Sequence, residues 1–270
     1  MKIIVAIKQV PERDARIRID SAGKWIDLND VEFTMNESDA YALEEALQLK
    51  EAHGGEVVVL SAGPERVGKT IREALAKGAD RAIHIASEAE DELAGYDALG
   101  VAQLLAASIK GEQADLGQVD LILTGLQSDD LGLGQTGVIL AELLGLPHAT
   151  LILKIEKTEA GIKVLRELED GWFQHLELPT PAVLTIQSGN SKLRYATLMG
   201  IKKAKLKEVR SVTVSNLKAE SQETKFTAPV VILEHVKLPT KQRTTQILGG
   251  TPAEAAAKLV EKLQFEVRAL

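Results

Sequence analysis

The fold is decided by the stretch VDLILTGLQSDDLGLGQTGVILAELLG, residues 119–145. It opens with branched apolar residues, which are typical of a strand buried on both faces. A loop over 125–134 carries three glycines, and the apolar spacing that follows predicts a helix over 136–144, ended by Gly145. A strand, a glycine-bearing loop and a helix start bring free amides towards an anionic group. The stretch therefore predicts either a nucleotide site near 134–136 or an ordinary strand-to-helix loop.

Composition excludes several classes of protein. The 270 residues include no cysteine, so a disulfide framework, a thiol nucleophile and a thiolate metal site are excluded. The net charge of −7 argues against non-specific binding of nucleic acid. No apolar run approaches the ~20 residues of a membrane-spanning helix. Because Met1 leads directly into strand-like residues, we expect no targeting segment and a cytoplasmic location.

Apolar runs alternate with helical patterns along the first 190 residues. The predicted strands cover 2–10, 56–62, 81–86, 119–123 and 181–186, and the predicted helices cover 70–76, 96–109 and 136–144. Another helix begins after 36–39, with Ala42, Leu43, Ala46, Leu47 and Leu49 facing the core and Glu44, Glu45 and Lys50 facing outward. Residues 21–23 are expected to turn a surface hairpin. This alternation predicts an α/β fold with a doubly wound, mainly parallel, Rossmann-like nucleotide-binding sheet.

In such a sheet, ligands bind beyond the carboxyl ends of strands where the strand order reverses. The segments after Ile7, Leu60 and Leu123 should therefore converge, which favours the nucleotide interpretation of the opening stretch. A competing motif is GPERVGKT, residues 63–70, which matches the phosphate-binding P-loop pattern letter by letter. If it works as a P-loop, Lys69 neutralises phosphates and Thr70 holds magnesium. The alternative is a helix-entry loop with a solvated lysine.

The sequence offers little catalytic machinery. The five histidines, His53, His84, His148, His175 and His235, are scattered without metal-ligand spacing. No serine lies in a G-x-S-x-G nucleophile elbow. We therefore predict no metal site and no enzyme active site in this chain.

The tail changes character after residue 190. Residues 194–210 carry six basic residues and one acidic residue around apolar Leu198, Met199 and Ile201. This pattern indicates either a solvated basic stretch or a docking loop with an apolar anchor and a basic rim. Residues 211–227 are expected to form an extended arm, and residues 230–233 a further strand. Thr251 as N-cap and Pro252 at the first helical position start a closing helix to residue 263.

Five segments together resemble the β subunit of electron transfer flavoprotein. They are VLRELEDGWFQHLELPTPAVLT (164–185), MNESDAYALEEALQLKE (35–51), SAGPERVGKTIREALAKGADRAIHI (61–85), RYATL (194–198), and the opening stretch with its G-x-Q-x-x-D-D and Q-T-G elements. The resemblance covers nearly the whole chain. It implies a heterodimer with an α subunit that holds most of the FAD, while the β subunit completes the FAD pocket and buries a structural AMP.

The resemblance also implies site residues. The AMP site would use Ala6, Asn36, Glu37, Ser38, Asp39, Ala62, Thr124, Gly125, Gln127, Asp129, Asp130, Gly134, Gln135 and Thr136. Leu198 would anchor flavin-dependent dehydrogenases, with Lys202, Lys203 and Lys205 beside it, and electrons would pass to a downstream quinone-linked acceptor. The implied parts are a nucleotide-binding domain (1–190), a partner-recognition loop and arm (191–229), and a strand and helix packing on the partner subunit (230–270).

Two positions depart from the family pattern. Ala62 stands where animal members carry cysteine, and Arg13 replaces a tyrosine that approaches the flavin in some members. Three alternatives stay open: a bifurcating type with a second FAD in place of AMP, a stand-alone P-loop protein, and an interaction subunit without nucleotide.

Overall fold

The computed structural model describes residues 1–87, 95–189, 191–221, 224–239 and 245–268. Contacts divide the chain into two units, Met1–His235 and Val236–Leu270. The strands of the first unit are β1 (Lys2–Ala6), β2 (Gln9–Pro11), β3 (Phe33–Met35), β4 (Glu56–Gly63), β5 (Arg81–Ala86), β6 (Leu121–Gly125), β7 (His148–Lys157), β8 (Ile162–Glu167), β9 (Phe173–Leu178), β10 (Ala182–Ile186) and β11 (Val209–Thr213). Its helices are α1 (Glu37–His53), α2 (Gly68–Lys77), α3 (Ala98–Leu116), α4 (Thr136–Leu144), α5 (Leu198–Ala204) and α6 (Val214–Glu220).

Within the described residues, nine strands form one sheet in the order β11-β5-β4-β1-β6-β10-β7-β8-β9. The strands from β11 to β7 run parallel, and β8 and β9 continue the sheet antiparallel. The chain leaves β1 towards β4 and β5 on one side, and β6 lies on the other side. Strand order therefore reverses between β1 and β6, as the prediction of a doubly wound sheet requires.

Two apolar layers cover the faces of this sheet. Alternate residues of β1 point to opposite faces, so Ile3 packs with residues of α1 and α2, whereas Ile4 packs with residues of α3, α4 and α6. Both residues have no exposed surface. Burial on both faces explains why these strands read as continuous apolar runs. The predicted α/β fold class is confirmed.

Strand β1 is shorter than the predicted strand over 2–10. It ends at Ala6, and Gln9–Pro11 pairs instead with Phe33–Met35 in a small antiparallel sheet. The amide of Lys8 donates a hydrogen bond of 2.7 Å to the Asp39 carboxylate rather than to a neighbouring strand. The parallel ladder therefore stops before Lys8.

The sequence pattern does not predict strands β7, β8 and β9. Their apolar residues alternate with polar ones, as Ile162 and Val164 do in β8, because only one face of this part of the sheet is covered. The expected hairpin at 21–23 is confirmed, since Ile19 bridges Ile26 and the Asp20 carboxylate accepts from the amides that follow the turn.

Two glutamates of α1 were placed on the wrong face by the helical pattern. Glu44 and Glu45 are buried rather than outward-facing. Glu44 pairs with Arg194, whose Nε lies 2.9 Å from the carboxylate, and Glu45 accepts from the hydroxyl of Ser191. The segment after residue 190 covers this face of the helix, which a helical pattern alone does not reveal.

The expected extended arm over 211–227 is wrong for residues 211–220. Residues 209–213 form β11, which pairs with β5 at the sheet edge, and residues 214–220 form α6. The expected strand over 230–233 is wrong, because residues 224–239 contain neither helix nor strand. Val230 and Val231 instead donate their amides to the Asp97 carboxylate at the start of α3.

The second unit contains α7 (Pro252–Lys262), followed by a π-helical segment, Leu263–Val267. Thr251 and Glu254 form a reciprocal capping box with Pro252 in the first turn. The predicted closing helix and its cap are confirmed. Among the described residues, no helix is long and apolar enough to cross a membrane.

Candidate functional site

A cavity of about 390 Å³ lies where the strand order reverses. The exits of three adjacent parallel strands form its floor, with Ala6 from β1, Ala62 and Gly63 from β4, and Thr124 and Gly125 from β6. This is the convergence predicted from the positions of the strand ends. The volume lies in the range of small-molecule and cofactor sites.

Most of the predicted cofactor-binding residues line this cavity: Ala6, Asn36, Asp39, Ala62, Thr124, Gly125, Gln127, Asp130, Gly134, Gln135 and Thr136. Glu37, Ser38 and Asp129 do not. These three connect the loop after β6 to the start of α1. Their hydrogen bonds hold the shape of the loop that lines the cavity.

Asn36, just before α1, binds the loop after β6 through both the nitrogen and the oxygen of its side-chain amide. Its amide nitrogen donates to the carbonyl of Gln127 at 2.9 Å, and its oxygen accepts from the amide of Asp129 at 2.8 Å. Ser38 donates to the same Gln127 carbonyl. The Asp129 carboxylate accepts from the amide of Glu37, where the helix dipole favours a negative charge. The loop is thereby held against α1.

Asp39 lies beneath the cavity and is 6% exposed. Its carboxylate accepts from two backbone amides, that of Lys8 at 2.7 Å and that of Gly125 at 2.9 Å. Burial raises the pKa of Asp39 to about 7, although these hydrogen bonds, the Asn36 amide and the charge of Lys8 favour the ionised form.

Lys8 supplies a cation to the cavity wall. Its ammonium lies 2.7 Å from both oxygens of Asp130 and 3.3 Å from the hydroxyl of Ser128. Burial opposes ionisation of Asp130, but the Lys8 charge together with the hydrogen bonds from Lys8, Ser128 and the Leu131 amide outweighs it and lowers the pKa of Asp130 below its ordinary value. Lys8 and Ser128 both line the cavity, and the sequence patterns do not single them out.

The first turn of α4 closes one side of the cavity with Gly134, Gln135, Thr136 and Gly137. No acidic residue lies in this turn, so its free amides and positive helix end can meet an anion. A Cβ on Gly137 would lie 2.5 Å from the Thr124 hydroxyl and 2.7 Å from the Thr185 methyl. Glycine therefore lets the helix start directly against β6 and β10.

A further part of the cavity lining is largely apolar and is absent from the sequence prediction. Residues 25–33 contribute Trp25, Ile26, Leu28 and Phe33, and the start of α3 contributes Tyr96, Val101 and Leu105. The Arg66 guanidinium lies 4.1 Å from the centre of the Phe33 ring. A cavity with both an apolar lining and a helix N-terminus suits a ligand with a flat ring and a phosphate. Aromatic residues are only 3% of this chain, so their concentration near 25–33 is a usable sequence signal.

The P-loop-like segment does not present its key side chains to the cavity. Lys69 is exposed and does not line it. Thr70 is 2% exposed, and its hydroxyl accepts from the Gln9 side chain at 2.8 Å. This hydroxyl is therefore engaged in the packing of α2 rather than facing a metal ion. Among the described residues, no cluster of three or more metal-binding side chains occurs.

The predicted partner-binding residues lie on or just after α5, away from the cavity lining. Leu198 is 82% exposed at the first position of this helix, and Met199 and Ile201 are also exposed. Lys202, Lys203 and Lys205 are exposed beside them. The helix packs against α2, where a Cβ on Gly200 would lie 2.3 Å from the carbonyl of Ala76. A firmly seated helix thus presents an apolar side chain with cations next to it.

The sequence of the chain matches the model of the electron transfer flavoprotein domain over residues 24–217. The chain belongs to the electron transfer flavoprotein family. It is 36% identical over 265 residues to the electron transfer flavoprotein subunit beta of Methylophilus methylotrophus, covering 97% of each chain. The corresponding protein of Bacillus subtilis is 34% identical over 270 residues, covering all of both chains. That of Mus musculus is 33% identical over 262 residues, covering 97% of each.

The electron transfer flavoprotein domain match includes two of the three cavity-forming strands, β4 and β6, and also α5, whereas β1 precedes its first residue. The relatives named subunit beta align over nearly their entire length, so the comparison includes the tail beyond α6 as well. The predicted family membership is confirmed.

Proposed function

We propose that this chain is the β subunit of a heterodimeric electron transfer flavoprotein and that it holds a structural AMP in the cavity between β1, β4 and β6. The observation that carries the proposal is the position of this cavity at the reversal of strand order, with the first turn of α4 on one side. Ligands of doubly wound sheets bind at this place. The relatives named subunit beta support the assignment to a two-subunit protein.

The residues present fit AMP. The first-turn amides of α4 and the Lys8 ammonium provide donors and positive charge for a phosphate. The apolar wall with Trp25, Phe33 and Tyr96 provides contact area for an adenine ring. Gly134, with a φ of +62°, lets the loop turn into the start of α4, which lines the cavity.

The flavin is proposed as a ligand that this chain shares with the α subunit. When bound, FAD supplies the electron-accepting and electron-donating chemistry, and the protein positions it. We propose that the α subunit holds most of the FAD and that this chain completes the pocket. The chain's own contribution is then a carrier role, with no reaction catalysed by its side chains.

Docking of flavin-dependent dehydrogenases is proposed at α5. Leu198 would enter an apolar pocket of the dehydrogenase, while Lys202, Lys203 and Lys205 would meet acidic groups around that pocket. A downstream quinone-linked acceptor would then receive the electrons. The segment 191–229 would serve as the partner-recognition region, and residues 230–270 would pack on the α subunit.

A set of three alanine variants tests where the nucleotide binds. Gly137→Ala should remove AMP from the purified heterodimer, because the added methyl group pushes the start of α4 away from Thr124 and Thr185. Gly111→Ala is the matched control, since a Cβ there meets nothing within 4 Å. Lys69→Ala should also retain AMP if the P-loop-like segment plays no part. Nucleotide released by denaturation and separated by chromatography gives the occupancy.

Loss of nucleotide from Lys69→Ala, with full occupancy in Gly137→Ala, would contradict the proposed site and favour the P-loop alternative. Recovery of FAD instead of AMP from this cavity would favour the bifurcating alternative, in which a second FAD replaces AMP.

A further inference from the structure

Asp39 joins the exits of β1 and β6 through the two oxygens of one buried carboxylate. At the reversal of strand order, the chain after β1 and the chain after β6 turn away from each other, which opens the crevice. One carboxylate oxygen of Asp39 accepts from the amide of Lys8, after β1, and the other accepts from Gly125, the last residue of β6. The side chain therefore fixes the distance between the two exits.

The packing around Gly125 leaves little freedom at this point. A Cβ on Gly125 would lie 2.2 Å from the Ser38 hydroxyl and 2.3 Å from the Asp39 carboxylate. The exit of β6 thus rests directly on the first turn of α1. Any shift of the Asp39 carboxylate moves the backbone that lines the cavity.

We propose that Asp39 is a positioning residue of the nucleotide site and that AMP binds only while both of its carboxylate oxygens accept these two amides. The inference rests on the proposed function, because it assumes that the cavity binds AMP. It adds a dependence of AMP affinity on pH, set by a residue that acts through the backbone.

The chemistry of the carboxyl group gives this dependence its direction. An ionised carboxylate accepts hydrogen bonds at both oxygens, whereas protonation places an O–H against one of the two N–H groups. The nearby charged groups are Lys8 after β1, Asp129 and Asp130 after β6, and Glu37 on the same helix. Lys8 favours ionisation, but its ammonium is held by Asp130.

The Asp39 carboxylate therefore takes up a proton near neutral pH, since burial raises the pKa of Asp39 to about 7. Above this pH, the carboxylate is ionised in the empty site and AMP binds without proton release. Below it, binding must first remove one proton, so affinity should fall by about tenfold per pH unit.

The test uses the assembled heterodimer after removal of its bound nucleotide. Calorimetry should show the dissociation constant of AMP rising steeply in the wild type from pH 7.5 to pH 5.5. Asp39→Asn, which keeps the size but offers one acceptor oxygen, should bind AMP at least tenfold more weakly at pH 8. Its remaining pH dependence should be that of the AMP phosphate alone, whose second pKa is about 6.

Glu45→Gln is the matched control, because Glu45 is a buried carboxylate of the same helix outside the cavity lining. It should follow the wild-type profile. A wild-type profile that matches that of Asp39→Asn would overturn the role of Asp39. No AMP binding by the wild type at pH 8 would instead contradict the proposed function itself.

A second experiment uses the wild-type heterodimer and requires neither AMP nor a substitution. Hydrogen exchange of the nucleotide-free heterodimer, corrected for the intrinsic effect of pH, reports protection of the Lys8 and Gly125 amides. Protection should be at least several-fold lower at pH 6 than at pH 8. Equal protection at both pH values would overturn the inference.

Discussion

The carboxylate of Glu112 has no exposed surface and meets cations from two different strands. Lys2 of β1 lies 2.9 Å away, and Arg81 of β5 pairs with it and with Glu56 of β4. Burial opposes ionisation of Glu112, but hydrogen bonds from Arg81 and Lys2 outweigh it and lower its pKa below the ordinary value. This network ties α3 to the amino ends of the central strands, opposite the cavity.

Removing this charge should destabilise the chain. Glu112→Gln leaves two cations without their shared anion, at an expected cost of about 3–5 kcal/mol at neutral pH. Because the folded-state pKa is lowered, the stabilisation is complete above pH 4.5 and is lost as the pH falls through the lowered value. The difference between variant and wild type should therefore shrink in acid, as urea unfolding at pH 7 and pH 4 can measure.

Glu156→Gln serves as the control, because Glu156 forms an exposed pair with Lys154. It should leave the urea midpoint unchanged. A Glu112→Gln protein with wild-type stability at pH 7 would contradict the importance of the network.

A few hydrogen bonds to α1 and α2 hold the segment that contains helix α5 in place. Arg194 binds both Glu44 and Glu51 of α1, and Lys207 donates to the carbonyl of Leu75 in α2 at 3.0 Å. Thr197 caps the helix by accepting from the amide of Gly200. These bonds leave the apolar side chain of Leu198 facing solvent.

Truncating the Leu198 side chain should weaken docking of the dehydrogenase without any other effect on the heterodimer. Leu198→Ala should reduce the rate of reduction by a partner dehydrogenase by about tenfold or more, the usual scale for loss of an interface anchor. The flavin spectrum and thermal stability of the heterodimer should not change, because the side chain is already exposed. Stopped-flow measurement with a flavin-dependent dehydrogenase provides the rate.

Leu168→Ala is the control at the opposite end of the sheet, where Leu168 follows β8 and is also exposed. It should keep the wild-type rate. A normal rate in Leu198→Ala would remove the anchor proposal.

The elements that could be predicted from sequence are those whose pattern follows from burial. Strand β5 and helix α4 have the predicted bounds, because a run buried on both faces and a glycine stop are local signals. Strands β7 to β9 and β11 were beyond such reasoning, since their residues are partly exposed and their pairing depends on distant partners. The same holds for Glu44 and Glu45, which are buried by a segment about 150 residues away.

At the scale of the whole molecule, part of the candidate site could be predicted from the sequence and part could not. Parallel strands place their carboxyl ends together, so the convergence of Ala6, Ala62 and Gly125 follows from the order of elements. The apolar wall with Trp25 and Tyr96 does not follow, because those segments reach the cavity through tertiary packing. The hydrogen bond from the amide of Glu37 to the Asp129 carboxylate also joins distant parts of the chain, which the sequence pattern does not reveal.

We propose that this cavity holds AMP in a flavin-carrying heterodimer. The most direct measurement is to purify the chain with its α subunit, denature the complex, and quantify the released nucleotides against protein concentration. We expect one AMP and one FAD per heterodimer. Two FAD without AMP, or FAD with an empty second site, would contradict it.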